Sequence, residues 1–407
     1  MSDVPGRAAC TIVSKPWVAQ ARVLANSFNA CHPDVPMFVL LADEASAPFD
    51  AVLEPYHVVD IRTIDIPGFE HFRFRYAQQQ LTYAATPFFL TYLLAHGFER
   101  VLFFKQESLV LGSHEEVFDL LDRYDVVLTP HLVSPLSGAG AIERELNILQ
   151  SGAYNVGLLG VSDRPSARQF ADWWQQRTLT HCLHDVKNGM HWEQRWLSLA
   201  PAMFDGVHIL RDARFNVGHW NLPDRRIEMN GSRVLVNGED CRLFRFSGFQ
   251  PEEAHTVTRH NQRLSPVLLG PAWQVFERFR SLLLEAGHTE VSRWPYAWAT
   301  FDNGTPIPGL ARQLFGHLGD DVTRFGDPRV TGDRSFFAWL QEPVDETAEP
   351  ANRVTRLWEA AYRTRPDVMA AFPDHLGSHR LQFLEWTRRS GWREMEIDPV
   401  FVPGGVA

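Results

Sequence analysis

The stretch Arg100-Val101-Leu102-Phe103-Phe104-Lys105-Gln106-Glu107-Ser108-Leu109-Val110-Leu111 decides how this chain is read. Its four consecutive apolar residues, β-branched and aromatic, predict a strand buried on both faces, as in a parallel sheet. The strand runs directly into a lysine and, one residue on, a glutamate. Open α/β sheets bind ligands outside the carboxyl ends of their strands, so charged residues at this end are placed to meet one. The other reading of Lys-x-Glu is a solvated pair at a sheet edge. Lysine is scarce, confined to Lys15, Lys105 and Lys187 among 39 Lys plus Arg residues, which argues against compositional drift.

Outward from this strand, the first half alternates strand and helix signals. Cys10–Val13 and Met37–Leu41 predict strands, the second closed by Asp43-Glu44, and Ala21, Leu24, Ala25 and Phe28 share one helical face between them. A helix from Pro87 to His96, stopped by Gly97, leads into the central strand; Val126–Leu128 predicts another, and Pro165 opens a helix with Ala167, Phe170, Ala171 and Trp174 on one face. This rhythm predicts an α/β fold with a mainly parallel sheet. Asn230-Gly231 and Asn237-Gly238, each between short alternating runs, predict hairpin turns and a small meander that delivers Arg245 to the sheet edge. Helical spacing dominates later, with Val354, Leu357, Trp358 and Ala361 in one stripe and a polar linker around Glu342-Pro343 and Glu349-Pro350. The expected organisation is a sheet domain over 1–262 and a helical region over 263–407.

With 407 residues, 45% of them hydrophobic, the chain can bury a large core. Its net charge of -10 argues against general attraction to nucleic acid or anionic membrane, and no nucleic-acid partner is expected. Met1–Arg7 carries no apolar leader segment, and no run of about 18 apolar residues occurs, so a cytoplasmic protein without a transmembrane segment is expected. Trp386, Trp392 and nearby arginines read as helix packing with a solvated rim, or as a face for peripheral membrane contact or acceptor docking. Cys10, Cys31, Cys182 and Cys241 are widely spaced, which predicts reduced, mostly buried thiols. His181, Cys182, His184, Asp185 and His191 lack the spacing of a metal centre. Gly138-Ala139-Gly140-Ala141 lacks the strand-before, helix-after setting of a dinucleotide loop and reads as a loop or lid.

Seven segments occur in the order shown by one protein family: Thr86-Pro87-Phe88, Arg100–Phe103, Leu128-Thr129-Pro130-His131-Leu132, Tyr154-Asn155-Val156-Gly157, Gln194-Arg195-Trp196-Leu197, Phe215–Leu222 and Phe246-Ser247-Gly248-Phe249. Together they resemble a bacterial glycosyltransferase family with the GT-A nucleotide-sugar-binding fold, a Rossmann-like mixed sheet, related to the retaining galactosyl- and glycogenin-type transferases. In such relatives the central strand ends in Asp-Pro-Asp, a lysine precedes the proline matching Pro87, and a histidine precedes the Phe-Ser-Gly-Phe segment. Here Lys105, Glu107, Thr86 and Arg245 hold those positions. The relatives' aspartates and histidine resemble a ligand set for Mn²⁺ or Mg²⁺ that neutralises the diphosphate. Lys105 and Arg245 would repel that ion but can themselves offset diphosphate charge, so no metal cofactor is expected.

The resemblance implies a glycosyltransferase, retaining and metal-independent, moving a sugar from a nucleotide-sugar to a hydroxyl on a glycan, lipid-linked or small-molecule acceptor. Gln194 matches the carboxamide beneath the anomeric carbon and Glu193 the carboxylate holding a donor hydroxyl; with Lys105 and Arg245 they form the candidate catalytic set. The other reading of Glu193-Gln194 is the polar side of an amphipathic helix. Ser14 and Lys15 after the first strand and Asp43 after the second are candidate nucleotide contacts. Thr86, Glu107, His131, Asn155, His219 and Asn221 are further candidate substrate contacts, although Asn155 also suits a turn and His219 a buried, hydrogen-bonded core histidine. The competing function is a catalytically silent GT-A protein that binds or scaffolds. A sugar nucleotidyltransferase would start with a Gly-rich basic loop, which Val13-Ser14-Lys15-Pro16 lacks.

Overall fold

The computed structural model describes residues 6–253, 255–261, 263–346 and 348–406; residues 1–5 of the N-terminal stretch, and residue 262, lie outside the described residues. The strands are β1 Arg7–Val13, β2 Met37–Leu41, β3 His57–Asp60, β4 Arg100–Phe104, β5 Ser108–Val110, β6 Val126–Pro130, β7 Tyr154–Ser162, β8 His184–Asp185, β9 Met190–His191, β10 Val207–Ile209, β11 Ile227–Asn230, β12 Arg233–Val236, β13 Glu239–Asp240 and β14 Leu243–Arg245. Seven of them form one sheet in the order β10-β6-β7-β4-β1-β2-β3. Pairing is parallel for β4-β1, β1-β2, β2-β3 and β6-β10, while β7 runs antiparallel to both β4 and β6. This is the mixed, mostly parallel α/β sheet expected of the GT-A class.

The apolar faces read from sequence are the ones buried. Ala21, Leu24, Ala25 and Phe28 of helix Val18–Cys31 share a cluster with Val39, Leu41, Leu102 and Phe104 of the strands, joined by Val117, Phe118 and Leu121 of helix Glu115–Leu121. A second cluster sets Phe244, Phe246 and Phe249 against Val275, Phe276 and Phe279 of helix Trp273–Glu285, with Phe246 stacked on Phe279 at 3.8 Å between ring centroids. The first part of the helical stretch after residue 262 thus belongs to the sheet unit's core, and residues up to Ile66 group with Gln80–Tyr296.

The meander forms as expected. β11, β12 and β13 pair antiparallel. The second turn has Asn237 and Gly238 both at positive φ, 56° and 92°, the backbone a type I′ turn requires. At the first turn Asn230 closes the ladder opposite Arg233, so Gly231 and Ser232 make the loop. β14 then pairs with β5, placing Arg245 opposite Ser108. The Gly138-Ala139-Gly140 loop leads into helix Ala141–Ser151, which the sequence reading did not anticipate; Gly140 enters it at φ 79°.

Residues Pro67–Gln79 and Ala297–Ala407 form a second, helical unit. Its core joins Phe74, Phe301, Phe315, Phe336, Leu357, Trp358, Ala361 and Phe383, including the expected stripe of helix Arg356–Thr364. Buried Arg312 donates to the carbonyls of Phe74, Tyr76 and Trp298, tying the Pro67–Gln79 segment to this unit.

Candidate active site

The site lies at the carboxyl end of β4, where backbone pairing fixes each charged residue before any side chain contributes. The Lys105 N–H donates to Gly157 O on β7 at 3.1 Å, the Phe246 N–H to Glu107 O at 2.8 Å, and the Arg245 N–H to Val217 O at 2.7 Å. Lys105, Glu107 and Arg245 therefore converge at the carboxyl end of β4. Lys105 Nζ forms an ion pair with Glu193 Oε1 and stands 3.3 Å from the centroid of the Tyr83 ring. Arg245 Nη2 donates to Glu107 Oε1 at 3.2 Å and Nη1 to Asn155 Oδ1 at 3.2 Å. Burial pulls the Lys105 ammonium and the Arg245 guanidinium below their ordinary pKa values, each drawn back up by its glutamate. Two buried cations face two carboxylates.

A break in β6–β7 pairing shapes the other wall. The register shifts between Leu128 and Thr129, and the Thr129 hydroxyl donates toward the carbonyls of Asn155, 3.1 Å away, and Leu158, 2.8 Å away. Asn155 Oδ1 accepts from the Gly157 N–H at 2.8 Å, and its Nδ2 donates to His131 Nε2 at 2.9 Å. Burial holds His131 neutral, its pKa lowered to about 4. Gly157 is required by close approach: a Cβ there would lie 2.0 Å from Arg245 Nη1, 2.4 Å from Asn155 Oδ1 and 2.6 Å from Asn216 Oδ1. Asn216 itself adopts φ 51° and Trp192 φ 55°, both in the left-handed region. For a bulky tryptophan this is a real outlier, of the kind that clusters at functional sites.

The other sequence-derived candidates fall in distinct places. Glu193 is buried beside Lys105, with its carbonyl accepting from Trp174 Nε1 at 3.0 Å. Gln194 begins a 3₁₀ turn to Leu199 rather than an amphipathic α-helix, and its amide donates to Ser151 O at 3.0 Å. Asn221 commits its side chain to backbone, donating to His131 O and Asn216 O and accepting from the Gly218 N–H. His219 packs edge-on against Trp220 and beside His260, its pKa lowered to about 3 chiefly by burial. Thr86 is buried at the start of its helix, its hydroxyl directed at Thr82 O. Ser14, Lys15 and Asp43 gather, buried, at the ends of β1 and β2, where the Lys15 N–H donates to Asp43 Oδ2 at 3.2 Å and Lys15 Nζ to Ser46 Oγ at 3.2 Å. Sequence reasoning assigned no role to Tyr83, Gly157, Asn216 or Trp220, all of which contact this wall.

No protein-family model matches the chain. Two proteins of Bacillus subtilis (strain 168) are similar to it. The uncharacterized protein YfnF is 24% identical over 276 residues, covering 62% of this chain and 86% of YfnF. The uncharacterized protein YfnD is 20% identical over 246 residues, covering 59% and 76% respectively. Among solved structures, the chain is similar to the galactosyltransferase LgtC in complex with donor and acceptor sugar analogs, at 17% identity over 68% of this chain and 95% of that one, with a TM-score of 0.45. It is also similar to the glycosyltransferase GlyE of Streptococcus pneumoniae TIGR4, at 14% identity over 76% and 74%, with a TM-score of 0.41.

Lys105, Glu107 and Arg245 do not form a ligand set suited to a divalent cation. Lys105 and Arg245 are cations, and Glu107 already accepts from Arg245. Elsewhere, Cys182 is buried with its thiol directed at Gln80 O, while His184 and His191 face one another across β8–β9. Several buried polar atoms around the site lack a hydrogen-bond partner: Glu193 Oε2, Asn216 Oδ1, Trp220 Nε1 and Arg245 Nε. An unmet buried polar atom costs about 1–3 kcal/mol, so a group of them is a reason to look for a ligand.

Proposed function

We propose that the chain is a glycosyltransferase that takes a sugar from a nucleotide-sugar donor to a hydroxyl acceptor, with retention of configuration and without a divalent metal. The observation that carries this reading is the pair of buried cations, Lys105 and Arg245, at the carboxyl end of β4 beside unpartnered acceptors and donors. In a site from which water is excluded, two fixed cations stabilise the charge that develops on a departing diphosphate. Glu193 Oε2 and Asn216 Oδ1 are acceptors suited to sugar hydroxyls, and Arg245 Nε and Trp220 Nε1 are donors suited to phosphate oxygens. Ser14, Lys15 and Asp43 offer polar groups to the nucleoside at the ends of β1 and β2. For Gln194 to meet the anomeric carbon, its amide must leave Ser151 O. Glycan, lipid-linked and small-molecule acceptors all satisfy the chemistry.

One observation favours the silent alternative. Lys105 and Arg245 already have carboxylate partners, so the four charges balance with no ligand present. Turnover separates the two. Incubation with a panel of nucleotide-sugars and candidate acceptors should release nucleoside diphosphate, and Lys105→Ala or Arg245→Ala should lower that rate by about 10²–10³-fold each. A wild-type protein that binds no nucleotide-sugar and releases nothing supports the scaffold. Product anomers resolved by NMR read the stereochemistry.

A further inference from the structure

Five imidazoles border the cation pair. The ring of His131 meets Trp220 edge-on at 5.4 Å, Trp220 meets His219 at 5.1 Å, and His219 lies 5.7 Å from His260. The rings of His184 and His191 stand 5.1 Å apart, with His184 stacked on Trp192 at 4.9 Å. Both groups flank the cation pair: Trp192 meets the Tyr83 ring at 5.6 Å, Tyr83 lies 3.3 Å from the Lys105 ammonium, and the Arg245 guanidinium stands 6.0 Å from the Trp220 ring. The backbone gives way for this wall. A Cβ on Gly218 would lie 2.5 Å from the Trp220 ring, and one on Gly248, at φ 74°, 2.6 Å from His260.

Two guanidinium groups complete it. Arg195, four residues after His191, donates to Ser198 Oγ at 3.2 Å, and Arg259, the residue before His260, donates its N–H to Gly248 O at 3.0 Å. Neither has a carboxylate partner among the described residues, whereas the site's carboxylates Glu193 and Glu107 are taken by Lys105 and Arg245. In a chain of net charge -10, these two guanidinium groups stand beside aromatic faces and imidazoles that can donate or accept hydrogen bonds. A neutral sugar would need no such charge.

We infer that the wall of His184, His191, Trp192, His219 and His260, with Arg195 and Arg259, is a binding surface for an anionic sugar, one carrying a phosphate or a carboxylate. The inference rests on the glycosyltransferase reading in making that sugar the acceptor. The rings pack against the faces of the sugar, and the two guanidinium groups take the anionic substituent through charge-assisted hydrogen bonds. Phosphate and carboxylate share this chemistry.

The test is calorimetric titration of the full chain with glucose 6-phosphate, glucuronate and glucose. Each runs with and without saturating nucleoside diphosphate, which blocks adventitious binding at Lys105 and Arg245. The expected result is that one anionic sugar binds about tenfold or more tighter than glucose with the nucleotide present, and that Arg195→Gln/Arg259→Gln removes this preference while leaving nucleotide affinity intact. Whichever anionic sugar binds tighter names the substituent. Equal binding of all three sugars, or an anionic preference unchanged in the double variant, overturns the inference. Anionic binding lost in the variant, but with no nucleotide bound by wild type, upholds the anionic surface and instead counts against the glycosyltransferase reading.

Discussion

Replacing Lys105 by methionine probes the centre of the site. Glu193 Oε1 is paired with Lys105 Nζ, its Oε2 has no partner, and the side chain is 1% exposed, so the ammonium is what compensates this carboxylate. Methionine keeps the length of the side chain and removes its charge. Removing one partner of a buried pair costs about 3–5 kcal/mol, because the other charge is left uncompensated. The cation–π contact with Tyr83, 3.3 Å from ammonium to ring centroid, is lost with it. Replacing both partners by apolar residues of similar volume removes the problem together with the pair, so Lys105→Met/Glu193→Leu should lie within about 1 kcal/mol of wild type. Urea unfolding followed by tryptophan fluorescence at neutral pH reads both values. A single variant within about 0.5 kcal/mol of wild type, or a double variant that loses as much as the single, would refute the claim that Lys105 compensates Glu193.

Other consequences can be checked as directly. Gly157→Ala must displace the Arg245 guanidinium and the Asn155 carboxamide, since its Cβ would approach them to 2.0 and 2.4 Å; a loss of about 3 kcal/mol in urea unfolding, with weakened nucleotide binding, is expected, and an unperturbed variant would contradict the packing described. Asn221→Ala removes three hydrogen bonds to backbone and should cost about 2–3 kcal/mol by the same measurement. Acid should destabilise the fold early. His114 and His131 have folded pKa values lowered to about 3 and about 4 by burial, against an ordinary value near 6.5, so the unfolded chain binds protons that the fold refuses. Their contribution is complete above about pH 6.5 and falls by up to about 1.4 kcal/mol per histidine per pH unit as the pH drops toward 4. A melting temperature flat or rising from pH 7 to 5 would contradict it.

Much of this architecture was legible in the residues. The strands around Cys10, Met37 and Val101 declared themselves by short apolar runs between helical periods, and Asn237-Gly238 by its turn chemistry. The delivery of Arg245 to the sheet edge followed from the meander. The antiparallel course of β7 had no such signal, because a buried apolar strand such as Val156–Val161 reads alike in either direction. Side-chain direction was equally hidden at Glu193-Gln194. These neighbours diverge, Glu193 pairing with Lys105 and Gln194 donating to Ser151 O. Tyr83, Asn216 and Trp220 are single residues of common type, brought to the site only by tertiary packing. Gly157 did carry a signal, as a glycine inside a strand, where close backbone approach is a usual cause.

The central claim is that Lys105 and Arg245 take the place of a divalent metal in binding a nucleotide diphosphate. Calorimetric titration of the wild-type chain with a series of nucleoside diphosphates and nucleotide-sugars, once in EDTA and once with excess Mn²⁺, tests it most directly. The account predicts that one nucleotide binds with the same affinity in both conditions and that Lys105→Ala and Arg245→Ala each weaken it. Binding that appears only with Mn²⁺ would contradict it.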